Sequence, residues 1–72
     1  MCADPALARA DRAMGAEFRR ALADADPYAR RELLRTRDGF LAFRDRCGSA
    51  GCVLQAYADR IEEIRDIAAG GY

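Results

Sequence analysis

The chain has 72 residues, 12 basic and 12 acidic side chains, three cysteines and no histidine. That length allows one domain, and a formal net charge of zero argues against a nucleic-acid binder held by phosphate contacts. Without histidine there is no imidazole acid–base chemistry, imidazole metal ligation or pH switch, and no stretch approaches the roughly 18 apolar residues of a membrane span.

A chain this short buries only about 60% of its unfolded surface, so a disulfide or a packed partner weighs heavily in its stability. All the basic residues are arginine, a bias that genome composition explains more simply than recognition does.

The first predicted element is a helix over 5–23. Asp4 supplies an N-cap acceptor and Pro5 the first helical position. Leu7, Met14, Phe18 and Leu22 recur at helical spacing and mark its apolar face. The same signature, Asp26–Pro27, opens a second helix over 27–46, with Leu33, Leu34, Phe40, Leu41 and Cys47 on its face. The run Cys47–Gly48–Ser49–Ala50–Gly51–Cys52 then forms a short connection. Cysteines at both ends of so tight a loop come within disulfide reach, which implies an oxidising compartment and an exported protein. Ser49 caps a third helix over 50–68, whose seam is expected at Leu54, Tyr57, Ile61, Ile64 and Ala68 in steps of three and four. Gly70–Gly71–Tyr72 reads as a helix stop.

No run alternates as a strand does. The fold class expected is all-α: a single up-down-up three-helix bundle with the Cys47–Cys52 disulfide between helices 2 and 3. A helical hairpin with a loosely docked third helix is the alternative. Gly15 and Gly39 fall mid-helix, where each costs about 1 kcal/mol relative to alanine. They either permit close approach of helices 1 and 2 or lie on exposed faces without a role. Cys2 is left over; either its partner lay upstream or it is free to link two copies. No signal peptide is recognised within the chain, so an exported protein implies a targeting segment upstream of it.

Three charged residues interrupt the apolar faces: Asp11 in helix 1, Arg37 and Arg44 in helix 2. Folding about Ala25 brings Asp11 level with Phe40, so a partly buried ion pair is expected between Asp11 and Arg44, or else Arg37. Such a pair either fixes register or offers a polar contact to a partner. Helix 2 carries a basic excess through Arg30, Arg31 and Arg35. Helix 3 is acidic through Asp59, Glu62, Glu63 and Asp66. These charges are either a solvated surface or a two-toned binding face.

No catalytic constellation is present. Ser49 and the cysteines have no histidine to activate them, and the Cys47–Cys52 spacing is not that of the Cys-x-x-Cys oxidoreductases. Three cysteines do not supply a zinc site, and there is no calcium loop or phosphate-cradling glycine run. No enzyme, metal or cofactor is expected.

Three segments together resemble the lysozyme-inhibitor LprI-like family of bacterial exported proteins. Cys2–Ala3–Asp4–Pro5–Ala6–Leu7–Ala8–Arg9–Ala10–Asp11 resembles that family's opening helix. Phe40–Leu41–Ala42–Phe43–Arg44–Asp45–Arg46–Cys47 resembles its Trp-Leu-x-x-Arg-Asp-x-Cys run. Cys52–Val53–Leu54–Gln55–Ala56–Tyr57–Ala58–Asp59–Arg60–Ile61 is similar to its Cys-Leu-x-x-x-Tyr-x-x-Arg-Ile. Arg37 stands where glutamine is frequent and Phe40 where tryptophan is, so these two positions become candidate partner contacts. The resemblance also implies an upstream cysteine for Cys2, hence a missing upstream segment, and a periplasmic, secreted or lipid-anchored location.

The functional expectation is a small exported protein-binding module, an inhibitor of lysozyme-like hydrolases being what the resemblance implies. Lysozymes are often basic, so Glu62, Glu63 and Asp66 become candidate contacts by charge complementarity. The alternative is a structural or envelope accessory domain whose disulfide staples a marginal core.

Overall fold

The computed structural model describes residues 4–70. It contains three helices: α1 (Pro5–Asp24), α2 (Pro27–Asp45) and α3 (Ala50–Ala68). Cys2, and with it any pairing of its thiol, lies outside the described residues, as do Gly71 and Tyr72.

Each helix starts where its cap residue dictates. The Asp4 carboxylate accepts from the Ala6 N–H at 2.9 Å and that of Asp26 from the Ala29 N–H at 2.7 Å, with proline following each cap. The Ser49 hydroxyl accepts from the Cys52 N–H at 3.1 Å. One of the four donors left open at each helix start is thereby satisfied. Gly70 ends α3 with φ +89°, the left-handed conformation that glycine adopts at no steric cost.

The connections are short, and the helices run up, down and up. Paired positions rise together on α1 and α3, with Tyr57 meeting Asp11 and Arg65 meeting Glu17. They run oppositely on α2 and α3, where Leu33 packs with Ile64 and Phe40 with Tyr57. α3 is the central element, packed along both others, while α1 and α2 touch least. Cys47 and Cys52 form a disulfide with Cα atoms 5.5 Å apart, tying the end of α2 to the first turn of α3.

The core divides into two apolar clusters. One gathers Ala21, Ala29, Leu33, Ile64 and Ile67, with Met14, Phe18 and Leu22 against it. The other gathers Phe40, Ala56 and Tyr57, with Leu7, Met14, Leu41 and Val53 against it.

The apolar seam of α3 is rotated from the expected one. Tyr57 and Ile64 are buried, but Leu54 and Ala68 are exposed and Ile61 is only half-buried. The buried stripe runs instead through Ala56, Tyr57, Arg60, Ile64 and Ile67. Leu34 on α2 likewise faces outward. Nor do the mid-helix glycines bring α1 and α2 together. A Cβ at Gly39 would meet nothing within 4 Å, and one at Gly15 would meet Arg19 of its own helix.

Candidate functional site

Among the described residues Arg60 is the buried charged side chain, at 2% exposure in the middle of α3. It lies between Tyr57 and Ile64 on the buried stripe, at the level where the two apolar clusters meet. A buried guanidinium requires acceptors, and α2 presents two of them, with a third from α3 itself. One terminal nitrogen donates to the Thr36 hydroxyl at 2.7 Å and to Glu63 at 2.8 Å; the other donates to the Leu33 carbonyl at 3.1 Å. Thr36 is set for this by donating its own proton to the Glu32 carbonyl at 2.8 Å, which leaves an oxygen lone pair for Arg60. The guanidinium carbon lies 5.4 Å from the Phe18 ring centre and 6.0 Å from that of Phe40, within cation–π range. The Nε–H alone is buried without an acceptor.

Outside Arg60, a groove of about 470 Å³ opens between α2 and α3. Its walls include Phe40, Phe43, Asp59 and Glu63, and Phe43 is 49% exposed. An adjoining hollow is lined by Glu32, Asp59, Glu62, Glu63 and Asp66, with Arg35 among them. Arg35 is engaged by Glu32 through two bonds of 2.9 and 2.6 Å. That guanidinium holds the Glu32 carboxyl below its ordinary value. Arg60 and Arg35 thus offset two of the five carboxylates, and the face stays acidic, with one large apolar ring beside it.

The charged pair expected between Asp11 and Arg44 is not formed. Asp11 is exposed, and its carboxylate accepts from the Tyr57 hydroxyl at 3.1 Å. Arg44 reaches Asp45 at 3.4 Å and lies 5.9 Å from the Phe40 ring centre. The nearby Tyr57 hydroxyl, above all, raises the Arg44 guanidinium above its ordinary value, against burial and with Asp45 adding to it. Asp11 does reach the height of Phe40, but the bulky Tyr57 of α3 takes the place between the two charges. Arg37 is exposed and has no acidic partner among the described residues.

The remaining candidate contacts fall into two groups. Glu62, Glu63 and Asp66 gather on the acidic face. Arg37 and Phe40 lie together at a different cavity, between α1 and α2. Phe40 is buried, packing its ring 5.6 Å from that of Tyr57, so it serves the core rather than an exposed contact. Arg60 and Thr36 are not among the charged and polar residues that the sequence pattern places on the apolar faces, because the expected seam of helix 3 runs through Tyr57, Ile61 and Ile64 and bypasses Arg60. Spacing puts Arg60 on one face with Tyr57, three residues before it, and Ile64, four after it, but does not say that this face is buried at Arg60. Among the described residues no group of three or more cysteines and carboxylates could hold a metal ion, and no helix is long and apolar enough to cross a membrane.

Comparison with known proteins adds no relative: no family model, no curated protein and no solved structure matches the chain.

Proposed function

We propose that this chain is a small exported helical module that binds a basic protein through the acidic face of α2 and α3. The single observation carrying this reading is the gathering of Asp59, Glu62, Glu63 and Asp66 with Glu32 around a hollow beside exposed Phe43. A large ring beside a face on which Asp59, Glu62 and Asp66 have no cationic partner among the described residues suits a partner offering arginine or lysine beside apolar surface. The resemblance to the lysozyme-inhibitor LprI-like family supplies the partner class, a lysozyme-like hydrolase, and the disulfide is compatible with the oxidising location that such a role requires.

The test is titration of a c-type lysozyme at two salt concentrations, using the oxidised protein with Cys2→Ser. Micromolar or tighter binding that weakens with salt is expected. Reversal of charge by Glu62→Arg with Asp66→Arg should weaken binding at least roughly tenfold. Absence of binding, or binding indifferent to both changes, would leave a structural accessory domain as the reading.

A further inference from the structure

On the other side of Arg60 lies a cavity of opposite electrostatic character, between α1 and α2. Its walls are apolar: Met14 and Phe18 from α1, Phe40 and Leu41 from α2. The polar side chains that line it are all arginines, Arg19, Arg37 and Arg60, and no carboxylate lines it. Its volume is about 130 Å³, the liquid volume of roughly four waters. That room suits a small molecule with a short apolar stem rather than a sugar or a nucleotide.

Arg19 and Arg37 are exposed, come from different helices, and have no acidic partner among the described residues. Gly15 also lines the cavity, and a Cβ there would stand 3.3 Å from the Arg19 guanidinium. The Arg19 head is therefore folded back along α1 over the glycine, at the exposed rim of the cavity. This gives the mid-helix glycine a use: it leaves the room in which that head sits. Arg60, although paired with Glu63, places a third guanidinium at the cavity wall.

We propose that this cavity binds a small organic carboxylate, its stem between Phe18, Phe40, Met14 and Leu41 and its charged head between Arg19 and Arg37. Guanidinium forks match the two oxygens of a carboxylate, and the apolar walls reward a short hydrocarbon stem. The site shares Phe40 and Arg60 with the groove beside the acidic face but lies on the opposite side of them, and it does not depend on the protein-binding reading.

The test is an amide-resolved NMR titration of the oxidised chain carrying Cys2→Ser, with sodium butanoate as the probe. Butanol and inorganic phosphate serve as comparisons at matched ionic strength. Butanoate is expected to give saturable shifts centred on Met14, Gly15, Phe18 and Leu41, with both comparison compounds at least roughly tenfold weaker, the factor one charge-assisted hydrogen bond carries. The double variant Arg19→Gln, Arg37→Gln should retain its helical circular dichroism, since both side chains are exposed, and lose butanoate affinity by a similar factor or more. The proposal is overturned by no saturable shift with butanoate. Equal binding of butanol would reduce the cavity to an apolar slot, and equal binding of phosphate to a plain anion patch; either result sinks it. So would unchanged affinity in the folded double variant.

Discussion

Arg60 stands where a simple core would carry leucine or methionine. Its bonds to Thr36, Leu33 and Glu63 offset the desolvation of the guanidinium, and the Phe18 and Phe40 rings flank it. Such an arrangement contributes little net stability over an apolar replacement but is costly to break. Arg60→Ala, which removes the bonds and leaves a cavity, is expected to destabilise by about 3–5 kcal/mol. Arg60→Met, which keeps most of the volume, should cost less than half as much; urea denaturation of the two variants measures the difference. Tyr57→Phe removes the hydroxyl held by Asp11 and should cost about 0.5–1.5 kcal/mol. Arg44→Met should cost no more than about 1 kcal/mol, because Asp11 is exposed and already has Tyr57. A loss of several kcal/mol in Arg44→Met would show that Arg44 carries a charge-pairing role absent from the geometry described above.

At the scale of the element, all three helix starts follow from the caps: Asp4–Pro5, Asp26–Pro27 and Ser49. Local chemistry decides these, because a cap bonds a donor only two or three residues away. Gly39 lies mid-helix facing nothing within 4 Å, so Gly39→Ala should stabilise by about 0.5–1 kcal/mol, read as a higher denaturation midpoint. The Cys47–Cys52 disulfide closes a short loop, and its reduction should cost about 2 kcal/mol in the chain-entropy model. A thermal melt with and without reductant, on Cys2→Ser protein, checks this. On α2, the Arg35 bonds hold the Glu32 carboxyl below its ordinary 4.5. A carboxyl with a depressed folded value stabilises the fold above its unfolded value and loses that contribution as pH falls through the folded one. Glu32→Gln should therefore flatten the acid side of the stability profile below about pH 4.5, and leave its slope near neutrality unchanged; an altered slope near pH 7 would contradict the assignment.

For the whole molecule, the central place of α3 is what gives the surface its two faces. Packed along both α1 and α2, α3 buries Arg60 and leaves its carboxylates on the outer side, beside α2. The arginines of the α1–α2 cavity lie on the other side of the same buried residue. The zero net charge of the chain thus conceals a spatial separation of sign. Because the acidic face is exposed, its attraction for the basic partner we propose would be screened over about 10 Å at 0.1 M salt. The association rate should therefore fall with added salt more than the dissociation rate rises, a split that stopped-flow measurement with lysozyme resolves. An association rate insensitive to salt would move the contact away from the carboxylates.

The three helices, their caps, the disulfide connection and the acidic bias of α3 were all legible in the sequence. Each depends on neighbours a few residues apart, and spacing encodes such relations directly. The partner of Asp11, the rotation of the α3 seam and the burial of Arg60 were not legible. Helical periodicity states which residues share a face but not which face the other two helices cover, and a charged residue is counted as exposed unless acceptors arrive from elsewhere. Thr36 and the Leu33 carbonyl come from another helix, so only the packed bundle could decide that Arg60 belongs inside. With Arg60 inside, Leu54 turns outward, and the carboxylates of α3 line a different hollow from Arg19 and Arg37.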